Sequence, residues 1–258
     1  MASLASRVGQ ILPEGNLKNS LRLIGFKVLF TTVGTKQVLL GTNHDKVPAK
    51  ISRLVLTHES LGTRENEGYL QHYQLKTGDV VVNAGSYHGY FAIYAAHKVG
   101  PSGRVICFEP EPNNRRLLVQ NISLNSLPNI TVIPAGLWSA DTRLPLISMG
   151  SGSRLQPDTS WDKQTISVCT LDTALAKLRV STINLLTMDI EGAEIEALKG
   201  ARQTLVNNRD INIAIASYHR VNGRPTAPYV EKLLRQSGLY AETSYPRHLT
   251  TYGYYRHS

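Results

Sequence analysis

The hydrophobic pattern becomes regular at Asp79, where short apolar runs begin to alternate with helix-like segments. The predicted strands are Asp79–Asn83, Arg104–Phe108, Ile130–Pro134, Ile183–Met188 and Ile211–Ala216. The predicted helices are Tyr90–Lys98, Asn113–Asn125, Thr173–Leu178, Glu191–Leu198 and Tyr229–Ser237. Such alternation is typical of βαβ units, so it predicts an α/β fold whose parallel sheet is covered by helices on both faces.

Two later regions depart from this alternation. Ala241–Ser244 and Thr250–Tyr255 are extended segments without a helix between them, so they predict a C-terminal antiparallel hairpin. Added to the five strands above, this hairpin gives a mostly parallel sheet of seven strands. Residues Ser139–Lys163 are rich in Ser, Gly, Pro and Asp and predict a loop or hairpin insertion.

The first part of the chain lacks the alternation, so we divide the sequence into an extension or cap (residues 1–76) and a ligand-binding domain (residues 77–258). A cap of this kind covers either a substrate site or a sheet edge, and the sequence leaves both roles open. Its predicted elements are a β-hairpin, formed by Lys27–Thr32 and Gln37–Leu40 around Gly34-Thr35-Lys36, and a short helix over Glu67–Leu75.

The composition fits a packed globular protein. Of 258 residues, 41% are hydrophobic and 18% are charged, which is enough to bury the core of one large domain. No apolar run reaches the roughly 20 residues of a membrane-spanning helix, and the first residues lack the apolar segment of a secretory signal peptide. Cys107 and Cys169 each lie in an apolar run, where buried reduced thiols are expected. These features predict a cytoplasmic protein and leave its oligomeric state open.

The formal net charge of +9 creates a positive field that attracts anionic partners such as RNA. The Lys and Arg residues are scattered rather than clustered, so an inert basic surface explains the charge equally well.

A glycine turn connects the first predicted strand of the domain to a helix. Its candidate ligand-binding residues are Asn83, Gly85, Ser86, Tyr87 and Gly89. In α/β sheets, nucleotides bind at the carboxyl ends of strands, where such turns lie. The Gly-x-x-x-Gly spacing lacks the extra glycine that admits a diphosphate, so a ligand without phosphates is favoured.

The next two strands supply further candidates at the same edge of the sheet. Glu109-Pro110 follows the second strand, where a carboxylate could accept hydrogen bonds from both ribose hydroxyls and so implies adenosine. Alternatively, Glu109 caps the helix that begins near Pro112. The third strand leads to Gly136-Leu137-Trp138, whose backbone could contact adenine, while Trp138 either borders that ring or packs in the core.

Taken together, the order and spacing of these motifs resemble the FkbM-type methyltransferases. The matching segments are Gly78-Asp79-Val80, Asn83-Ala84-Gly85, Gly89-Tyr90-Phe91, Phe108-Glu109-Pro110, Thr170-Leu171-Asp172, Met188-Asp189-Ile190-Glu191-Gly192-Ala193-Glu194 and Lys199-Gly200. The resemblance implies a Rossmann-like class I methyltransferase fold with S-adenosylmethionine as cofactor. It also implies O-methylation of a sugar, a glycan or another small-molecule hydroxyl.

Three positions depart from the family's pattern. The chain has Asn83 where the family usually has Asp, Thr187 where it has Lys, and Ser217 where it has Glu. These differences leave open a non-catalytic module that binds S-adenosylmethionine. An RNA methyltransferase is the other alternative, because Arg and aromatic residues alternate in the tail, at Tyr245-Pro246-Arg247-His248 and Tyr252–His257.

The candidate catalytic residues are Asp189, Glu191 and His219, which follow the fourth and fifth predicted strands. Methyl transfer to a hydroxyl needs a group that positions the acceptor and takes its proton, and His219 or Asp189 is the candidate base. Asp189 is also a candidate contact of the cofactor. The alternatives are a loop histidine without a role, and acids that cap or stabilise a helix beginning at Glu191. The three residues could instead hold a divalent cation, although the sequence favours no metal ligand set.

Overall fold

The computed structural model describes residues 35–52, 63–147, 152–155, 165–245 and 248–256. Its main sheet contains, in spatial order, β14 (Tyr240–Ser244), β15 (Thr250–Tyr254), β11 (Asn212–Ala216), β10 (Leu185–Met188), β3 (Val80–Ala84), β4 (Arg104–Phe108) and β5 (Ile130–Ile133). The strands from β11 to β5 run parallel, whereas β15 pairs antiparallel with both β11 and β14. The predicted seven-stranded, mostly parallel sheet with a C-terminal antiparallel hairpin is confirmed.

The strand order reverses between β3 and β10. From β3 the chain continues to β4 and β5 on one side, and β10 and β11 lie on the other. Ligands of open α/β sheets bind at such a reversal, beyond the carboxyl ends of the strands. The topology therefore directs attention to the segments that follow β3 and β10.

Two apolar clusters cover the two faces of the sheet. Successive strand residues point to opposite faces, so Val81 belongs to one cluster and Val82 to the other. The helices are α1 (Thr63–Tyr69), α2 (Tyr90–Val99), α3 (Pro112–Leu124), α4 (Leu171–Lys177), α5 (Glu194–Lys199), α6 (Arg202–Asn207) and α7 (Ala227–Gln236). Helices α2 and α3 contribute to the Val81 cluster, and α4 to α7 contribute to the Val82 cluster. No helix within these described ranges is long and apolar enough to cross a membrane.

The turn predicted for the N-terminal hairpin is wrong, because two of its residues lie in a strand. Strand β1 (Thr35–Gly41) contains Thr35 and Lys36 of the predicted turn, and it pairs antiparallel with β2 (Lys46–Ser52). The turn between β1 and β2 is closed by Thr42, whose amide donates to the carbonyl of Asp45 at 2.9 Å and whose Oγ1 accepts from the Asp45 amide at 3.0 Å. The side-chain and backbone hydrogen bonds between Thr42 and Asp45 thus stabilise a turn after β1. The predicted partner strand, Lys27–Thr32, lies outside the described residues.

The helix predicted over Glu67–Leu75 begins earlier and ends earlier than expected, as α1. The carboxylate of Asp79 accepts hydrogen bonds from the Tyr73 hydroxyl at 2.9 Å and from the Lys76 amide at 2.8 Å. These bonds stabilise a non-helical segment after α1, so the helix does not continue.

The insertion forms a small sheet of its own. Its strands, in the order β6-β9-β7-β8, are β6 (Gly136–Leu137), β9 (Thr165–Cys169), β7 (Thr142–Ile147) and β8 (Arg154–Leu155). Strands β7 and β8 pair antiparallel, so the hairpin prediction is confirmed for the residues described. The sequence did not predict helix α6, nor the short hairpin formed by the two-residue strands β12 (Arg220–Val221) and β13 (Arg224–Pro225). Cys107 is buried as expected, whereas Cys169 is half-buried, and both are free thiols.

Candidate active site

A cleft of about 540 Å³, including space open to solvent, lies at the carboxyl edge of β3, β4 and β10. Eight of the residues singled out in the sequence line it: Gly85, Tyr87, Glu109, Pro110, Gly136, Leu137, Asp189 and Glu191. Seven others were not among the candidate site residues, although three of them lie in the matching motifs: Phe108, Ile190 and Ala193 from the motifs, and Asn114, Leu146, Ser153 and Leu155 from elsewhere. Three of these, Leu146, Ser153 and Leu155, come from the insertion, so the small sheet forms part of the cleft wall.

Gly85 brings the turn after β3 against the end of β10. It has a φ of +79°, and a Cβ at this position would lie 1.9 Å from the carbonyl oxygen of Asp189. The amides of Gly85 and Ser86 both donate to the carbonyl of Phe108, at 3.0 and 3.1 Å. The turn is therefore fixed to two neighbouring strands, and only glycine fits at its closest contact.

The second glycine of the motif, Gly89, packs against a helix instead of the end of a strand. Gly89 precedes α2 with a φ of +87°, and a Cβ there would lie 2.6 Å from Leu118 of α3. It does not line the cleft. Its requirement for glycine comes from helix packing, which the sequence pattern could not separate from ligand binding.

Glu109 is buried in the wall of the cleft, with only 4% of its surface exposed. Its carboxylate accepts hydrogen bonds from the amide of Tyr87 at 2.8 Å and from the amide of Glu111 at 3.0 Å. Burial raises the pKa of this carboxyl to about 7, against the effect of these two bonds. The alternative that Glu109 caps the following helix is wrong, because Glu111 caps it, accepting from the amide of Asn114 at 2.6 Å.

Asn83 and Ser86 lie behind the glycine turn. The Asn83 amide group donates to the hydroxyl of Thr187 at 3.0 Å, and the Ser86 hydroxyl donates to the Asn83 carbonyl at 2.8 Å. Two of the departures from the family's pattern therefore face each other across β3 and β10. A neutral hydrogen-bonded pair occupies the positions where the family pattern has Asp and Lys.

The third departure from the family's pattern, Ser217, also forms a hydrogen bond with a neighbouring strand. Its hydroxyl lies 2.7 Å from that of Thr251 on β15. Ser217 is fully buried, and it faces the sheet rather than the cleft.

Trp138 lies on the insertion side of the fold. Its side chain packs against a cluster formed by Leu146, Ile166 and Val168, and its amide donates to the carbonyl of Cys169 at 2.9 Å. It does not line the cleft, which favours the core alternative for this residue.

The helix predicted from Glu191 begins only at Glu194, as α5. Glu191 and Gly192 adopt the left-handed region, with φ values of +56° and +99°. That conformation is incompatible with a helix, so the alternative roles of Asp189 as a helix cap and of Glu191 as a first-turn acid are wrong. The turn instead directs both side chains toward the cleft.

Four side chains form an acidic cluster with a histidine at its centre, which we call the Asp-His cluster: Asp189, Glu191, Glu194 and His219. Nε2 of His219 lies 3.4 Å from Asp189 Oδ1 and 3.5 Å from Glu191 Oε2, and Nδ1 lies 2.9 Å from Glu194 Oε1. Burial alone would lower the pKa of His219, but the three carboxylates outweigh it and raise the pKa to about 10. The cluster thus stabilises positive charge at the position of this ring.

Three aromatic residues that the sequence did not indicate surround Asp189. The hydroxyl of Tyr218 donates to its carboxylate at 3.1 Å, and the hydroxyl of Tyr69 lies 3.5 Å away. Nε2 of His248 is also 3.5 Å from this carboxylate. Tyr69 belongs to α1, so the N-terminal region reaches the site through this helix. These residues lie far from Asp189 in the sequence, and no local motif connects them.

The charge of the cleft fits a cofactor without phosphates. It is lined by the carboxyls of Glu109, Asp189 and Glu191, and no Lys or Arg among the described residues lines it. A diphosphate would meet only like charge there, whereas a cationic sulfonium would be attracted. The residues present therefore fit S-adenosylmethionine better than a dinucleotide.

This sheet order, with a glycine turn and a buried acid at neighbouring strand ends, is that of the class I methyltransferase fold. The model of the methyltransferase FkbM domain family matches residues 79–239, and the chain belongs to this family. Family membership confirms the predicted methyltransferase class and its S-adenosylmethionine cofactor.

Similar proteins agree with this assignment. Methyltransferase sdnD of Sordaria araneosa is 26% identical over 202 residues, covering 64% of this chain and 75% of sdnD. The crystal structure of methyltransferase FkbM from Methylobacillus flagellatus is 21% identical over 72% of this chain with a TM-score of 0.53, and this chain spans about half (46%) of its length. Aeropyrum pernix fibrillarin, in complex with S-adenosylmethionine, is 15% identical with a TM-score of 0.51, covering 84% of this chain and 99% of its own. The two structures share the fold of the present chain.

Proposed function

We propose that this enzyme transfers the methyl group of S-adenosylmethionine to a hydroxyl of a sugar, a glycan or another small molecule. The cofactor supplies a methyl group already activated on a sulfonium, so the protein has mainly to position the acceptor and receive its proton. The observation that carries the proposal is that one cleft is lined by both Glu109 and Asp189. Glu109 follows β4 and Asp189 follows β10, and these strands lie on either side of β3, which leads into the glycine turn.

Glu109 is the proposed contact of the ribose. A carboxylate offers about four acceptor positions, and backbone amides occupy two of them here. The remaining positions suit two neighbouring hydroxyl donors. The rigid backbone contacts would hold the carboxyl in place for that purpose.

Asp189 is the proposed contact of the acceptor hydroxyl, because it lines the cleft and its carboxylate is oriented by Tyr218. A positioned base of this kind contributes a factor of about 100 to 10,000 to the rate. His219 does not line the cleft and lies 3.4 Å behind Asp189. Its proposed role is therefore to position the carboxylate.

The test is methyl transfer from labelled S-adenosylmethionine to a panel of sugars, glycans and small alcohols. For Asp189→Asn we expect kcat to fall about 100-fold or more, because the proton acceptor is lost. The matched control is Asp141→Asn, which removes a carboxylate that pairs with Lys177 outside the cleft and should leave kcat unchanged. If no acceptor is methylated while S-adenosylhomocysteine still binds, the non-catalytic module becomes the better explanation.

RNA remains a second candidate acceptor because the chain carries a net charge of +9. In addition, exposed Arg220 and Arg224 lie on the β12–β13 hairpin, whose Val221 packs beside Gly192 near the cleft. Binding that depends on counterion release weakens steeply with salt. Labelled RNA should therefore be retained at low salt and released at high salt if it is the acceptor, and no retention at low salt would exclude it.

A further inference from the structure

We propose that Asp189, Glu191 and His219 form a binding site for one divalent metal cation. One ligand atom from each of the three side chains lies within 4.8 Å of the other two. The two carboxylates follow β10 and the imidazole follows β11, so the site is built from neighbouring strand ends.

The spacing of the ligand atoms matches a shared cation. Nε2 of His219 lies 3.4 and 3.5 Å from the nearest oxygens of Asp189 and Glu191. Two atoms that each bind a cation at about 2.1 Å, with an angle near 110° between them, are about 3.4 Å apart. A direct N–H···O hydrogen bond is shorter, at about 2.7 to 3.2 Å. The arrangement thus leaves room for an ion between the three groups.

His219 is oriented as a metal-binding histidine would be. Its Nδ1 lies 2.9 Å from Glu194, whose side chain is fully buried. That carboxylate accepts from the amides of Ile190 and Gly192, at 3.3 and 3.2 Å, and is therefore fixed in place. Metal-binding histidines usually donate their second ring N–H to such a carboxylate, which leaves the other nitrogen free to bind the metal.

Neither ring nitrogen of His219 completes a hydrogen bond, although only 8% of the residue is exposed, and the nitrogen that does not face Glu194 is Nε2. Buried polar atoms are rarely left without a partner, because each costs about 1 to 3 kcal/mol. This atom is directed toward Asp189 and Glu191. A cation at this position would satisfy it.

The basic side chains that pair with the acids of this cluster, among the described residues, are two histidines, His219 and His248. Among the described residues, no Lys or Arg forms an ion pair with Asp189, Glu191 or Glu194. Two carboxylates and one imidazole suit cations that accept both oxygen and nitrogen ligands, such as Mn²⁺. They suit Mg²⁺, which prefers oxygen ligands, and Zn²⁺, which prefers nitrogen and sulfur ligands, less well.

The position of the site gives the cation a role that rests on the proposed function. Asp189 and Glu191 both line the cleft, so a cation held between them is reachable from it. A cation there would bind the acceptor through an oxygen and lower the pKa of its hydroxyl. Metal binding itself does not depend on that role.

The test is a titration of the full-length protein with Mn²⁺, followed by calorimetry and by electron paramagnetic resonance. We expect one Mn²⁺ per chain, and pulsed spectra should show coupling to one nitrogen nucleus from His219. In Glu191→Gln and His219→Gln the affinity should fall at least tenfold, and the nitrogen coupling should disappear in His219→Gln. Glu194→Gln should lower the affinity about 10-fold to 100-fold through loss of ring orientation.

The matched control is Glu196→Gln, which changes a carboxylate of the same helix that instead pairs with Lys199 and Ser139. It should bind Mn²⁺ like the wild type. Thermal unfolding and binding of S-adenosylhomocysteine are measured for every variant, so that loss of fold and loss of cofactor binding are each detected separately. The proposal is overturned if the wild type binds no Mn²⁺, or if Glu191→Gln and His219→Gln bind it with unchanged affinity.

Discussion

The two acids at the ends of the cleft are held in different ways. Backbone amides hold Glu109, so its position depends on the turn after β3 and on the start of α3. Side chains from distant segments surround Asp189, namely Tyr69, Tyr218, His219 and His248. The Glu109 end is therefore defined by local chain geometry, and the Asp189 end by long-range packing that side-chain substitutions can alter.

The largest expected effect comes from disturbing the close contact between Gly85 and the backbone of Asp189. In Gly85→Ala, the new Cβ would overlap the carbonyl oxygen of Asp189 and require a positive φ, so we expect a loss of more than about 4 kcal/mol in unfolding free energy. The matched control is Gly223→Ala, which has a φ of +75° but no atom within 4 Å of its Cβ. It should cost about 1 kcal/mol. If urea unfolding shows that both variants are destabilised equally, the close contact between Gly85 and Asp189 does not limit the size of the residue at position 85.

The second effect concerns the pH dependence of stability. Burial raises the pKa of Glu109 to about 7 in the folded protein, above its ordinary value of 4.5. The folded state therefore binds more protons than the unfolded state between these values, and the unfolding free energy falls as the pH rises through them. We expect the wild type to lose up to about 3 kcal/mol relative to Glu109→Gln between pH 4.5 and 8. If the unfolding free energies of the two proteins change equally with pH, the pKa of Glu109 is not raised in the folded protein.

The third effect separates cofactor binding from catalysis. At pH 8, above the pKa of Glu109, the Kd of Glu109→Gln for S-adenosylhomocysteine should be about tenfold higher than that of the wild type, because a charged acceptor of hydrogen bonds is lost. Glu111→Gln is the matched control, since Glu111 caps α3 and does not line the cleft. Calorimetric titration measures both, and an equal loss in the control would point to indirect disruption of α3.

The smallest effect is expected at Trp138. Because its side chain packs on the small sheet, Trp138→Phe should change the Kd for S-adenosylhomocysteine by less than about threefold, even if it lowers stability by about 1 kcal/mol. If binding instead weakens tenfold, the result would support the alternative in which Trp138 borders the adenine ring.

The features that the sequence predicted well are those determined by local patterns. The strands from Val80–Ala84 to Asn212–Ala216 were located because each is a short apolar run, and the glycine turn and Glu109 follow strand ends directly. The start of α5 was missed because the left-handed conformation of Glu191 leaves no trace in the hydrophobic pattern. The pairing of β1 with β2 was missed because both flanks of the strand offered turn-forming residues.

Long-range contacts set the remaining limits of prediction. Tyr69, Tyr218 and His248 reach Asp189 from three different segments, so their convergence requires the folded structure. The neutral pair of Asn83 and Thr187 was likewise visible in the sequence only as two separate departures. In the structure these two residues are direct neighbours on β3 and β10 and form one hydrogen bond.

The close approach of Gly85 to the Asp189 backbone has a consequence for how this enzyme can diverge. The floor on which donor and acceptor would meet consists of two main-chain segments in direct contact, so neither segment can shift without moving the other. New acceptor preferences should therefore arise in the walls, through the β7–β8 insertion and the β12–β13 hairpin, while the distance over which the methyl group travels stays constant.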